Sequence, residues 1–245
     1  MFKIINNIKV EYEYNKISDK TIVFLHGFLG NLTSFKKTSV SFQNFGFSTL
    51  NINLTDYGFS SLPPTFTIYD YSEIVYKLIK SLKIKSCILV GHSFGGRISI
   101  ILSSMYSSFV EKLVLVSSAG IKPKFNLITK FKILKYKLAK FMVKKNLLNK
   151  QVLNKFGSSD FKMLNKSLKP VFINVVNEDL TYLLKNINAK TLIIFGKKDK
   201  VTPLKFAKIF NKKIKNSKIV IFDSGHFCFL DENLKFINIL KHFID

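Results

Sequence analysis

The six residues Gly91-His92-Ser93-Phe94-Gly95-Gly96 constrain the fold of this chain more than any other feature. They follow the unbroken apolar run Cys87–Val90 and lead into Phe94–Tyr106, a stretch with a helical pattern. A strand can pass so abruptly into a helix only where small residues let the two backbones approach, and Gly91, Gly95 and Gly96 supply them. Composition alone produces a Gly-x-Ser-x-Gly match in about one chain of this kind in twenty, so the five letters carry little by themselves. Their placement between strand and helix carries the weight. A serine at such a tip is exposed, and the first backbone N–H groups of the helix point at whatever its hydroxyl meets. A phosphate-cradling loop, the competing reading, would want further glycines or a Lys-Ser/Thr pair, and both are absent.

The rest of the chain repeats this alternation of apolar run and helical pattern, which predicts an α/β sheet that is largely parallel. Phe2–Ile5 and Ile8–Tyr14 flank Asn6-Asn7 and read as an opening hairpin. Six further strands are expected at Thr21–Leu25, Phe47–Leu54, Cys87–Val90, Lys112–Val116, Thr191–Phe195 and Lys218–Phe222. Most are nearly continuous apolar stretches, as strands covered on both faces are. Helices are expected at Tyr69–Leu82, Phe94–Tyr106, Leu204–Ile214 and Leu230–Phe243. About seventy residues separate Ser117 from Thr191, far more than one crossover helix needs. Within them Phe131, Leu134, Leu138, Phe141 and Met142 recur at three- and four-residue steps, so an amphipathic helical insertion is expected. Its first reading is a cap that packs this apolar face on the main domain. The second is a basic amphipathic surface that also touches membranes or acidic substrates.

Charge needs care, because the formal net charge is +24. Only one of the 39 basic residues is an arginine, Arg97, and the lysine excess reads mainly as a bias of the whole chain, such as an AT-rich genome would produce. Base-specific reading of nucleic acid leans on bidentate arginine, so no specific nucleic-acid partner is expected. Lysine still attracts phosphates without sequence preference, which leaves weak association with anionic surfaces open. The N-terminal residues lack the apolar region and small-residue cleavage site of a signal peptide, so a cytoplasmic location is the expectation. Cys87 and Cys228 lie in apolar runs and are expected to be reduced. Oligomeric state is not legible.

A serine hydroxyl is a poor nucleophile until a base takes its proton and a third group holds that base. Of the four histidines, His242 falls in a terminal helix, and His92 adjoins Ser93 and, as adjacent residues do, is expected to point elsewhere. His226 follows the last strand in Asp223-Ser224-Gly225-His226-Phe227, where an open α/β sheet places its site. It is the expected base. Among later acids, Asp199 follows the strand Thr191–Phe195 through Gly196-Lys197-Lys198, and Thr202-Pro203 is expected to open the next helix. Asp223 stays open as an alternative acid. His26-Gly27-Phe28-Leu29-Gly30 leaves the strand Thr21–Leu25 through glycines, and the N–H groups of Phe28 and Phe94 are the expected pair of oxyanion donors. His26 is expected to bond loops beneath the site.

These motifs resemble those of the α/β-hydrolase superfamily: His26-Gly27-Phe28 its oxyanion loop, Gly91–Gly96 its nucleophile turn, Asp199 and Gly225-His226 the remainder of its triad. Asp56-Tyr57-Gly58-Phe59-Ser60 is similar to a family loop but shortened and short of one glycine, so it is given loop geometry and no chemistry. The likeness covers roughly residues 3–120 and 188–244. It implies an α/β-hydrolase fold with a mostly parallel eight-stranded sheet flanked by helices. The core would comprise 1–120 and 188–245, with 121–187 as a helical cap. It implies Ser93, Asp199 and His226 as catalytic residues, and no metal or organic cofactor. Relatives that act on haloalkanes or epoxides carry aspartate at the turn, so Ser93 points to acyl-type chemistry or to hydrolysis of carbon–carbon bonds. A third reading, from a different class, is a ligand-binding or membrane-associated homologue with little turnover. Phe28, Phe94 and Phe227 flank the motifs, and an apolar acyl or aryl group of a small-molecule substrate is the expectation for their pocket.

Overall fold

The computed structural model describes residues 1–54, 62–63, 65–122, 127–156, 161, 164 and 168–245, with backbone alone at 127–130, 132 and 154–155. Asn6 and Asn7 take φ of 49° and 62°. Two successive left-handed residues are what a type I′ turn requires, and asparagine tolerates them. The turn pairs β1 (Phe2–Ile5) with β2 (Ile8–Asn15), Ile5 facing Ile8. Six more strands follow: β3 (Thr21–Leu25), β4 (Ser48–Ile52), β5 (Cys87–His92), β6 (Val110–Val116), β7 (Lys190–Gly196) and β8 (Ser217–Phe222). All eight join one sheet in the order β1-β2-β4-β3-β5-β6-β7-β8. Among the described residues only the β1–β2 and β2–β4 pairs are antiparallel. The Asp56–Ser60 loop lies outside the described residues.

Successive residues of the central strands feed two cores, one on each face of the sheet. Val23, Leu25, Leu89, Leu113, Leu115, Ile193 and Phe195 face α2 (Ile68–Ser81) and α3 (Phe94–Met105). Ile22, Phe24, Ile88, Val90, Val114, Val116 and Ile194 face Phe42 of α1 (Lys36–Asn44) and the terminal helix. Period-two alternation with both faces apolar is why these strands read as unbroken runs. Helix α1 escaped the sequence pattern because it docks in part through polar groups: Ser39 Oγ donates to Asn51 Oδ1 on β4 at 3.0 Å, buried. The helix expected over Leu230–Phe243 is two elements, broken at Glu232.

The insertion between β6 and β7 contains α4 (Leu127–Lys144), α5 (Leu168–Asn177) and 3₁₀ turns at Lys150–Lys155 and Leu184–Asn186. Helix α5 is anchored by the chain's single arginine. Arg97 on α3 donates to the carbonyls of Val176 and Glu178, each at 2.8 Å, satisfying backbone groups at the helix end that no helical turn can. Burial lowers its guanidinium to about 10, still charged at neutral pH. Helix α4 corrects the sequence reading. Phe131, Leu134, Leu138 and Phe141, expected against the main domain, are between 57% and 61% exposed, and of the expected set Met142 alone is half-buried. The helix instead turns Ile133, Tyr136, Ala139 and Val143 inward, Tyr136 meeting Phe156 with ring centroids 5.4 Å apart. The sequence carries two apolar stripes on α4, and the fold covers only one of them.

The remaining helices are α6 (Lys205–Lys213), α7 (Cys228–Asp231) and α8 (Asn233–Ile244). Strand order reverses between β3 and β5, since β4 lies outside one and β6 outside the other. Loops leaving the carboxyl ends of β3 and β5 therefore diverge and open a crevice, the usual ligand position in such sheets.

Candidate active site

Ser93 sits at that crevice with φ of 50° and ψ of −106°, a conformation sparsely populated for any residue with a side chain. The surroundings hold it there. Its N–H donates to Val116 O at 3.1 Å, and its own carbonyl accepts from the N–H groups of Gly96 and Ala119 at 3.1 Å each. Gly95 N–H donates to His26 O at 3.0 Å, tying the turn to the loop after β3. The glycines at this turn are needed for space: a Cβ on Gly95 would lie 2.1 Å from Leu25 O, and one on Gly96 2.1 Å from Ser118 Oγ. A Cβ on Gly27 would come within 3.4 Å of the Ser93 Cβ. Gly27, the residue before Phe28, thus lies beside Ser93, across the reversal in strand order.

Asp199 and His226 leave the carboxyl ends of β7 and β8 and meet. His226 Nδ1–H donates to Asp199 Oδ2 at 2.8 Å, with the aspartate side chain fully buried. Asp199 Oδ1 accepts from the N–H groups of Val201 and Thr202 at 2.8 and 2.9 Å, and Oδ2 also meets Thr202 Oγ1 at 2.7 Å. Burial opposes the charge of Asp199, but the hydrogen bonds from His226 and Thr202 outweigh it, and its carboxyl is held below the usual aspartate range. Asp223, the alternative acid, turns outward and pairs with Lys198 at 3.1 Å in solvent. The expected opening of α6 at Thr202-Pro203 is also corrected: the helix starts at Lys205, because the Thr202 hydroxyl is held between Asp199 and the Ser117 carbonyl.

His92 does not point away from the site as expected. Its ring centroid lies 4.8 Å from that of His226, and its Nε2 donates to the His226 carbonyl at 3.0 Å. Burial, then the neighbouring His226, depress its pKa to about 3, so the ring is neutral. The reason is register: β5 extends to His92, which still packs as a strand residue beneath the loop of His226, while Ser93 has already left the sheet. His26 lies beneath the site, as expected. Its Nε2 accepts from Leu54 N–H at 2.9 Å, leaving Nδ1 to donate to Gly27 O at 2.8 Å. His242 is exposed on α8.

Above Ser93 and His226 opens a cavity of about 310 Å³ whose walls include Phe28, Phe227, Val201 and Leu230. Phe28 also meets Phe172 of α5, with centroids 4.9 Å apart, so the insertion reaches the cavity wall. The Phe94 ring, expected on that wall, is instead buried in the core, edge-on to both Phe28 and Tyr71 at 5.1 Å. A helix's first side chain points back over the preceding turn, and here that direction is inward. Cys87 and Cys228 are free and buried, in different cores. Among the described residues no group of three His, Cys, Asp or Glu side chains is placed to hold a metal ion, and no helix is long and apolar enough to cross a membrane.

Fold and site together define a hydrolase of the alpha/beta type. The family model of the alpha/beta hydrolase fold matches residues 20–144, and an AB hydrolase superfamily protein of Bacillus subtilis (strain 168), YisY, is 30% identical over 246 residues, covering 91% of each chain; the chain belongs to the alpha/beta hydrolase family. Among solved structures, an esterase from Exiguobacterium antarcticum superposes with a TM-score of 0.76 at 24% identity, over 99% of this chain and 98% of its own. The meta-cleavage product hydrolase CumD of Pseudomonas fluorescens IP01 gives a TM-score of 0.72 at 16% identity, over 100% of this chain and 97% of its own. Both share the fold.

Proposed function

We propose that this protein is a serine hydrolase that cleaves an ester-type acyl bond, with Ser93 as nucleophile, His226 as general base and Asp199 as the acid that orients it. The observation that carries the reading is the 2.8 Å contact between His226 Nδ1 and the buried Asp199, made at the mouth of the cavity that Ser93 lines. With Nδ1 engaged, Nε2 of His226 is the nitrogen left to take the Ser93 proton. Ser93 Oγ then forms a bond to the substrate carbonyl carbon, and the carbonyl oxygen becomes an oxyanion bound by the N–H groups of Phe28 and Phe94. Each such donor contributes about 3 kcal/mol to the transition state in comparable hydrolases. His226 returns the proton to the departing alkoxide as the ester bond breaks. It next takes a proton from water, whose oxygen attacks the acyl carbon; the bond between that carbon and Ser93 Oγ breaks, His226 returns the proton to Ser93 Oγ, and the carboxylic acid is released.

Phe28 and Phe227 line the cavity and favour an apolar acyl or aryl group of small or medium size. Residues 121–187 act as the cap in this reading, with Phe172 of α5 bracing Phe28. A second reading, hydrolysis of a carbon–carbon bond, uses the same three residues and is favoured by the superposition with a meta-cleavage product hydrolase. Short p-nitrophenyl esters and a vinylogous diketone, assayed side by side, separate the two: turnover of the ester alone supports the first, and of the diketone alone the second. Covalent labelling by a fluorophosphonate tests what both share.

A further inference from the structure

The outward stripe of α4 has no counterpart in the proposed chemistry. Phe131, Leu134, Leu138 and Phe141 recur at steps of three and four residues, so they form one line along an 18-residue helix, about 27 Å long at its usual rise. All four side chains are more than half exposed, and the inward residues Ile133, Tyr136, Ala139 and Val143 occupy the opposite side. At 3.6 residues per turn, exposed Lys137 and Lys144 border the stripe on one flank and exposed Lys135 on the other. Lys135 Nζ lies 4.7 Å from the Phe131 ring centroid, its stem laid along the apolar line.

Charge identifies the occupant. Residues 121–170 contain 14 lysines and one aspartate, so a fifth of the chain carries +13 of its +24 formal charge. A whole-chain lysine bias cannot account for that concentration. A second copy of this chain would bring the same positive field against itself. A nucleic acid would meet the lysines but leave the phenylalanine and leucine side chains against phosphate. An anionic bilayer satisfies both at once: acyl chains receive the apolar stripe, while the bordering lysines lie at the headgroups.

We propose that α4 docks this protein on anionic lipid bilayers, lying in the interfacial plane with Phe131, Leu134, Leu138 and Phe141 inserted. The docking is independent of the chemistry proposed for Ser93, and the two succeed or fail separately. The test is flotation of the full chain with phosphatidylcholine vesicles, with and without phosphatidylglycerol, at about 0.15 M salt. Wild type is expected to float with the phosphatidylglycerol vesicles only. Phe131→Gln combined with Leu138→Gln, both at exposed positions, should lower the bound fraction at least about tenfold, with an unchanged thermal midpoint as the folding control. Lys137→Gln with Lys144→Gln should lower it by a comparable or larger factor, since each lysine near an anionic surface is worth about fivefold. The proposal is overturned if wild type stays with the soluble fraction. It is equally overturned if the apolar double variant floats like wild type, or if that variant instead dissociates a dimer of the free protein.

Discussion

His92 Nε2 donates to the carbonyl of His226 across 3.0 Å, so the residue before Ser93 holds the chain segment that carries the proposed base. The end of β5 thus carries two separate features, the proposed nucleophile just past its tip and, beneath the proposed base, the strut that His92 makes.

That strut leaves a signature in stability. A free histidine has an ordinary pKa of 6.5, and burial brings His92 to about 3 in the folded protein. The unfolded chain therefore binds a proton at His92 that the folded chain refuses across this window. Stability from the neutral ring is complete above pH 6.5 and is lost as pH falls toward 3, with a slope of one proton, on the order of 1 kcal/mol per pH unit. Urea unfolding of wild type and His92→Gln at several pH values should show a shallower acid slope in the variant. Equal slopes would mean that His92 is charged or exposed in the fold.

The acid next to His226 can be tested against its rival. Asp199→Asn should lower ester turnover by roughly three to four orders of magnitude, because the imidazole loses the partner that fixes its tautomer. Asp223→Asn breaks only an exposed pair with Lys198, of the kind that contributes about 1 kcal/mol or less, and should leave turnover within a few-fold of wild type. A large loss in Asp223→Asn with little in Asp199→Asn would move the acid to Asp223.

The turn itself has a steric test. A methyl group on Gly95 would meet the Leu25 and His26 carbonyls at 2.1 and 2.8 Å, and backbone cannot yield as a side chain can. Gly95→Ala should destabilise the protein by about 3 kcal/mol or more, or prevent folding. At Gly225 a Cβ meets nothing within 4 Å, so Gly225→Ala should stay within about 0.5 kcal/mol of wild type. Urea midpoints of the two variants check the contrast, and equal midpoints would contradict the packing described at the turn.

These relationships explain why the sequence was informative in some places and silent in others. The central strands read clearly because both faces of β3, β5 and β7 are buried, and the candidates Ser93 and Asp199 stood out because each follows one of them; β8 is only partly covered, and His226 was singled out by its place after the last strand. Helix α1 was not legible, since Ser39 and Asn51 join it to the sheet through a buried polar contact that no apolar period reveals. The roles of His92 and Thr202 were hidden for another reason. Each acts on a neighbour distant in sequence, His92 on His226 and Thr202 on Ser117, and Thr202 in addition meets Asp199 close by. The Asp199-x-x-Thr202 spacing, which lets a hydroxyl and N–H groups return to a carboxylate three residues back, was the one local signal for Thr202. The exposure of the Phe131–Phe141 stripe could not be read from periodicity, because α4 carries two apolar stripes and only the tertiary fold selects which is covered.

The proposed reactivity of Ser93 is measured in one step by labelling with a fluorophosphonate probe. Wild type should be labelled covalently, and Ser93→Ala, which keeps the fold and the His226–Asp199 pair, should not be. Absence of labelling in wild type, or equal labelling of Ser93→Ala, would contradict the assignment of Ser93.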